Sequence, residues 1–106
     1  MTYENFTTKA QEAIIQAQKI AKEKEQQQVD TPHLLAGIIM VDDSVADFIF
    51  KKVGVNAERV RQEIREAIED YPKVVGAKKQ YLTNDANRAL SRAKKMLTDF
   101  GDQYIS

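Results

Sequence analysis

Residues 6–20 read FTTKAQEAIIQAQKI, and the fold turns on finding that stretch a second time. An offset of 76 residues, which places Thr83 on Thr7, lays it over residues 82–96, LTNDANRALSRAKKM. Identities fall at Thr7/Thr83, Ala10/Ala86, Ala13/Ala89, Ala17/Ala93 and Lys19/Lys95, and Phe6/Leu82, Ile14/Leu90, Ile20/Met96 and Val29/Ile105 are like-for-like apolar pairs. Alanines spaced i, i+3 and i+7 recur in unrelated amphipathic helices, so they do not make a repeat by themselves. The matched threonine caps do more, as does the ungapped overlay of DQYIS (102–106) on QQQVD (26–30). On this alignment Ser106 stands opposite Asp30, so the second unit stops just before its counterpart of TPHLL (31–35) is due.

Working outward from the first copy, the apolar residues Phe6, Ala10, Ala13, Ile14, Ala17, Ile20 and Ala21 lie on one stripe of a helix. Thr7 or Thr8 is placed to cap it, with Gln11 completing a capping box on Thr8. The run KEKEQQQ (22–28) reads as its solvated end. In VDTPHLLAGIIM (29–40), Thr31 is expected to cap a short, almost wholly apolar helix with Pro32 at its first position. Val45, Phe48, Ile49 and Val53 give a third helical stripe closed by Gly54. Asn56 is placed to cap a fourth, with its stripe at Val60, Ile64, Ala67, Ile68 and Tyr71, ended by Pro72. PKVVGAKKQ (72–80) has no helical period and reads as a connector. A fifth helix starts near Thr83, with Leu82, Ala86, Ala89, Leu90, Ala93, Met96, Leu97 and Phe100 on its apolar side and Gly101 as its cap. No segment reads as a strand, since the β-branched residues sit at helical spacing. The expectation is an all-α bundle: a first unit over 1–71, a connector over 72–80, and the start of a second unit over 81–106.

At 106 residues there is room for one small core and no second catalytic domain. Sixteen basic and sixteen acidic side chains cancel, which removes the global electrostatic argument for nucleic acid or an anionic membrane. The absence of cysteine excludes disulfides, thiolate metal sites and thiol nucleophiles. MTYENFTTK lacks the charged start and apolar run of a signal peptide, and no apolar stretch approaches the roughly 18 residues of a membrane span. The chain therefore reads as soluble and cytoplasmic.

DFG at Asp99–Gly101 spells a kinase magnesium motif, but the glycine-rich loop, strand lysine and HRD loop such chemistry needs are missing. Phe100 on the apolar stripe and Gly101 as a cap account for it. His33, the single histidine, has no companion ligands at zinc spacing and no nucleophile to activate, so it reads as structural. Arg88, Arg92, Lys94 and Lys95, with Lys78 and Lys79, are weighed as a phosphate-binding patch of a small helical nucleic-acid module. Asp85, Asp99 and Asp102 dilute that patch, and a solvated face is the preferred reading.

Together FTTKAQ (6–11), TPHLL (31–35), GVNA (54–57), YPKV (71–74) and GDQYIS (101–106) resemble the N-terminal repeat domain of the Clp/AAA+ chaperones. The PHLL form and the PKV connector look more like the ClpB-type disaggregases than the protease-linked ClpA and ClpC branches. The resemblance implies an all-α pseudo-twofold domain of two four-helix repeats, here one complete repeat and the first helix of a second. It also implies a mobile, non-catalytic accessory domain of a hexameric ring ATPase that engages unfolded or aggregated polypeptide. ATP and magnesium would be held in other modules, with no cofactor or metal in this stretch. In the protease-linked relatives the domain docks adaptors, which is the alternative function. Carried over by motif, Thr7 of FTxKAQ, Asp102 of GDxYI and Leu90 are the expected substrate contacts. An unpartnered fifth helix is expected either to fold back on the first four or to pair two chains.

Overall fold

Why these residues form these helices is visible at their ends. The computed structural model describes residues 6–76, 79–100 and 105, with the backbone alone for 96–100. The expected apolar side chains Met96, Leu97 and Phe100, the Gly101 cap, Asp102 and Ser106 lie outside the described residues. Among the described residues the order is α1 (Thr8–Glu23), β1 (Gln28–Val29), α2 (Thr31–Val41), α3 (Asp43–Val53), α4 (Ala57–Glu69), β2 (Tyr81–Leu82) and α5 (Asn84–Phe100).

Thr7 Oγ1 accepts the Ala10 N–H at 3.2 Å, and Thr83 Oγ1 accepts the Ala86 N–H at 3.1 Å, so both copies of the repeat start on the same cap. Gln11 closes no capping box; its amide donates instead to the Phe6 carbonyl at 2.9 Å. α2 is capped by Asp30 rather than Thr31, and His33 at N3 accepts the Asp30 N–H in return. The carboxylate is the better acceptor at a helix N-terminus, and taking it moves the helix start one residue earlier. Asp42 ends α2 and caps α3, Gly54 closes α3 at φ 84°, and Asn56 caps α4. α4 stops at Glu69, leaving Tyr71 beyond the helix.

Ala13, Ile14, Ala17 and Ala21 of α1 are buried as the stripe requires. α2 crosses this face at Gly37, where an added Cβ would stand 2.2 Å from the Ala13 carbonyl oxygen and 3.1 Å from the Ala17 nitrogen. Small residues on both helices let the two backbones touch, an unusually close helix packing. Phe6, Ile14, Ala17, Ala21, Val29, Leu34, Ala86 and Leu90 make one core, so α5 folds back on the first four helices within the chain. α3 departs from its expected role. Its one buried residue is Ala46, while Val45, Phe48, Ile49 and Val53 are 47–69% exposed. Arg61 of α4 holds it by ion pairs to Asp43 (2.5 Å) and Asp47 (2.7 Å).

The fold stays all-α, but the expectation of no strand needs correcting. Gln28 and Val29 pair in parallel with Tyr81 and Leu82, and Phe6 bridges Ile105 in the same sense. A two-residue pairing has no period, so no pattern marks it. These two contacts are copies of one another: the repeat carries Val29 onto Ile105 and Leu82 onto Phe6. Their hydrogen bonds correspond too, Thr83 N–H to Val29 O (3.0 Å) and Thr7 N–H to Ile105 O (2.7 Å). Each unit thus passes the chain that follows its first helix to the start of the other unit's first helix.

Candidate functional site: an apolar groove beside a buried polar cluster

Four helices leave a groove of about 620 Å³ between them. Phe6, Ala10 and Ile14 of the α1 side form the floor with Leu90 of α5, and Leu35 and Ile38 of α2 with Val45 and Ile49 of α3 form the far wall. Among the described lining residues only Lys9, Thr31 and Asp42 are polar. Lys9 and Asp42 are joined at 3.1 Å across the rim. Such a surface removes apolar side chains from water without demanding a sequence, since the hydrophobic effect is non-directional.

The α5 wall is held by Asp30. Its carboxylate accepts from Thr83 Oγ1 at 2.5 Å, from the Tyr71 hydroxyl and from the Thr31 N–H at 2.8 Å. One side chain therefore fastens the starts of α2 and α5 to the chain leaving α4. Behind it His33 is fully buried, its Nδ1 accepting the Asp30 N–H at 3.1 Å and its ring meeting Tyr71 edge-on at 5.1 Å. That bond assigns the proton to Nε2, which donates to Gln26 Oε1 at 2.7 Å, and the Gln26 amide donates to the Ile68 carbonyl at 2.7 Å. Gln26 is also fully buried, which corrects the reading of 22–28 as a solvated end. The chain turns back after α1 through Glu25, at φ 57°, and carries Gln26 under α4.

Burial holds the His33 imidazole below its ordinary value, with Lys24 adding to the effect and Asp30 opposing it. Burial works to raise the Asp30 carboxyl, but the hydrogen bonds from Thr83, Tyr71 and Thr31 together carry it below the usual carboxylate value. Burial, then the Asp30 hydrogen bond and charge, push the Tyr71 phenol up. Both depressed groups act in one direction. An unfolded histidine takes up a proton as pH falls below its ordinary value of 6.5 while the folded His33 does not, so stability present above that pH is lost beneath it. Asp30 continues the loss below the ordinary carboxyl value of 3.8. Urea midpoints are therefore expected to fall on acidification from pH 7 to 5, with a slope of at most about 1.4 kcal/mol per pH unit from one proton. His33→Gln is expected to flatten the fall between pH 7 and 5; a midpoint that stays level in the parent over that range contradicts the assignment.

Of the three expected contacts, Leu90 lies on the groove floor at 9% exposure. Thr7 does not line it, its oxygen being engaged at the α1 cap. Asp102 lies outside the described residues. Sequence reasoning missed Leu35, Ile38, Val45 and Ile49. A signal was present in α2, which is apolar on every face although a small domain can bury only one. Arg88, Arg92, Lys94 and Lys95 are exposed on α5, with Arg88 paired to Asp85. Among the described residues no cluster of metal-ligating side chains occurs, and no helix is long and apolar enough to cross a membrane.

Comparison with known proteins adds what geometry cannot. A family model described as the Clp repeat (R) N-terminal domain matches residues 5–106. The chain belongs to the Clp repeat N-terminal domain family. Chaperone protein ClpB of Bacteroides thetaiotaomicron is 35% identical over 106 residues, covering all of this Clp repeat domain and 12% of that protein. Chaperone protein ClpB of Bacillus anthracis is 38% identical over 110 residues, again over the whole chain and 13% of the relative. The Clp repeat domain described here thus spans about an eighth of the length of the curated relatives it matches. The Hsp104 N-terminal domain from Candida albicans superposes with a TM-score of 0.85 at 20% identity, over 96% of this chain and 67% of that one. The N-terminal domain (1–163) of the ClpV1 ATPase from E. coli gives 0.86 at 13%, over 97% and 63%. At those identities the likeness shows the fold.

Proposed function

We propose that this domain is the non-catalytic substrate-binding module of a ClpB-type disaggregase, engaging unfolded or aggregated polypeptide in the groove between α1, α2, α3 and α5. The observation that carries the reading is the groove itself: an apolar, open cleft of about 620 Å³ with a charged pair at its rim, on a domain whose curated relatives are chaperones. A client offers aliphatic side chains that water disfavours, and the cleft accepts them without reading their order. Binding of that kind is weak, about 1 μM or weaker and so about −8 kcal/mol or less favourable. Weakness suits a module from which a ring ATPase, using ATP and magnesium bound elsewhere in a longer protein, must draw the client away. Leu90 lies on the floor of the groove; Thr7 and Asp102 are further proposed contacts, and an adaptor or co-chaperone is a proposed second partner.

The test is fluorescence anisotropy of a labelled, permanently unfolded protein against the domain. Ile38 is 47% exposed and lines the groove, so Ile38→Glu is expected to leave the circular dichroism spectrum unchanged and to weaken binding at least tenfold. Val75 is 93% exposed and lies off the groove, so Val75→Glu is expected to bind as the parent does. Equal losses in both variants, or no preference of the parent for the unfolded over the native client, would sink the reading.

A further inference from the structure

Residues 71–76 and 79–83, on the way from α4 to α5, are fastened to one short segment of the first unit. The Val74 N–H donates to the Glu25 carbonyl at 2.7 Å, the Gln80 amide to the Gln26 carbonyl at 3.3 Å, the Tyr81 N–H to the Gln27 carbonyl at 2.8 Å and the Thr83 N–H to the Val29 carbonyl at 3.0 Å. The Tyr71 hydroxyl and Thr83 Oγ1 complete the set on the Asp30 carboxylate. These residues form a strap laid along 25–30, and Asp30 grips it at both ends. Little burial backs it, Val74 being 41% and Val75 93% exposed, so hydrogen bonds rather than packing decide whether it stays down.

The grip depends on a bond of fixed sense. The Asp30 N–H donates to His33 Nδ1 at 3.1 Å, which holds only while Nδ1 keeps its lone pair. Nε2 already carries its proton toward Gln26 Oε1 at 2.7 Å, so a second proton goes to Nδ1 and faces the Asp30 N–H donor to donor. The carboxylate whose charge acts on the ring is that of Asp30. An ion pair with the imidazolium offers it an attraction that the neutral hydroxyls of Tyr71 and Thr83 do not. The other groups around the ring do not compete for that role. Lys24, just past α1, is a cation paired with Glu69; Tyr71 meets the ring edge-on at 5.1 Å; Asp85 of α5 bears on Tyr71 instead.

We propose that His33 is an acid-sensitive catch for this strap: a proton on Nδ1 turns the Asp30 carboxylate from Tyr71 and Thr83 to the imidazolium, and the strap lifts from residues 25–30 while the helices stay folded. The catch opens in one pH direction. Burial keeps the ring neutral under the closed strap, whereas a ring that water reaches takes its proton at the ordinary value of 6.5. Opening is therefore coupled to uptake of one proton and grows by up to about tenfold for each pH unit below that value. At neutral pH the strap fixes the start of α5 against the first unit; in acid that joint is slack.

The test is native-state hydrogen exchange of the full chain, followed by nuclear magnetic resonance from pH 7 to 5. The amides of Val74, Tyr81 and Thr83 report the strap, and those around Ala17 report α1. Strap protection factors are expected to lie below those of α1 at every pH, and to fall by up to about tenfold per pH unit below 6.5. His33→Gln, whose amide does not titrate, is expected to remove that fall. Tyr71→Phe keeps a ring beside His33 and deletes one of the two grips, so it is expected to lower strap protection about fivefold at pH 7, as one lost hydrogen bond requires. Equal protection of strap and α1 at each pH would show that the strap lifts only when the whole domain unfolds, and overturns the proposal. So does strap protection in the parent that stays level from pH 7 to 5, a His33→Gln domain that keeps the parent's slope, or a Tyr71→Phe strap as protected as the parent's.

Discussion

Gly37→Ala is expected to destabilise the domain by about 2–3 kcal/mol, the upper part of the roughly 1–3 kcal/mol range of overpacked cores, seen as a loss of roughly 10 °C or more in melting temperature. On helix propensity alone the substitution would stabilise by about 1 kcal/mol. The sign is decided by what the new methyl meets. It would stand 2.2 Å from the carbonyl oxygen of Ala13 and 3.1 Å from the nitrogen of Ala17, both backbone atoms that cannot rotate away. α1 and α2 must separate, and the fully buried Ala17 and the 6% exposed Ala13 then lose their cover. Differential scanning calorimetry gives the answer directly. A melting temperature that stays level or rises would show that the two helices do not cross at this distance.

His33→Ala is expected to do more, at about 3–5 kcal/mol, a large share of the roughly 5–15 kcal/mol that holds a small domain together. The ring is fully buried, and its removal opens a cavity against Tyr71. It also strands two groups, the buried side-chain amide oxygen of Gln26 and the part-buried Asp30 N–H, at about 1–3 kcal/mol each when unpaired and less where water refills the space. Urea denaturation of His33→Ala, Gln26→Ala and the double variant separates a network from two independent contacts. The double variant is expected to lose clearly less than the sum of the singles, because the second substitution removes a partner already orphaned. Additive losses would show that Gln26 and His33 do not act through one another.

Both effects bear on the groove, since α2 supplies one wall and Asp30, which the His33 cluster supports, fastens the start of α5 that supplies another. A loosened cluster is thus expected to blur the groove before it unfolds the domain.

How far the sequence could be read follows the range of the interactions. Asn56 and Gly54 were legible because a cap and a left-handed stop act over a few residues. The α2 cap was misplaced by one residue because Asp30 and Thr31 are both good caps. Asp30 is chosen by Thr83 and Tyr71 as well, which reach it from 53 and 41 positions away. Gln26 was illegible among three successive glutamines. Its burial depends on a carbonyl 42 residues distant and on a left-handed turn at Glu25 that no glycine announces. In the candidate site, Leu90 was found through the repeat, whereas Leu35, Ile38, Val45 and Ile49 became a wall when the helices around them were placed.

Periodicity, caps and the repeat by themselves determined that the chain is helical, where most of its helices begin, and that its first and last helices are versions of one unit. Those features depend on neighbours within a turn or two, or on self-similarity that alignment exposes. The tertiary structure alone decided that the two units exchange chain segments through paired strands. It also decided that α1 and α2 touch at a glycine, that a polar cluster lies beneath the groove, and that Ala89, alike in sequence to the buried Ala13, stays open. The reason is physical: burial belongs to whatever packs against a residue, and equal residues in equal helices diverge when different neighbours pack against them.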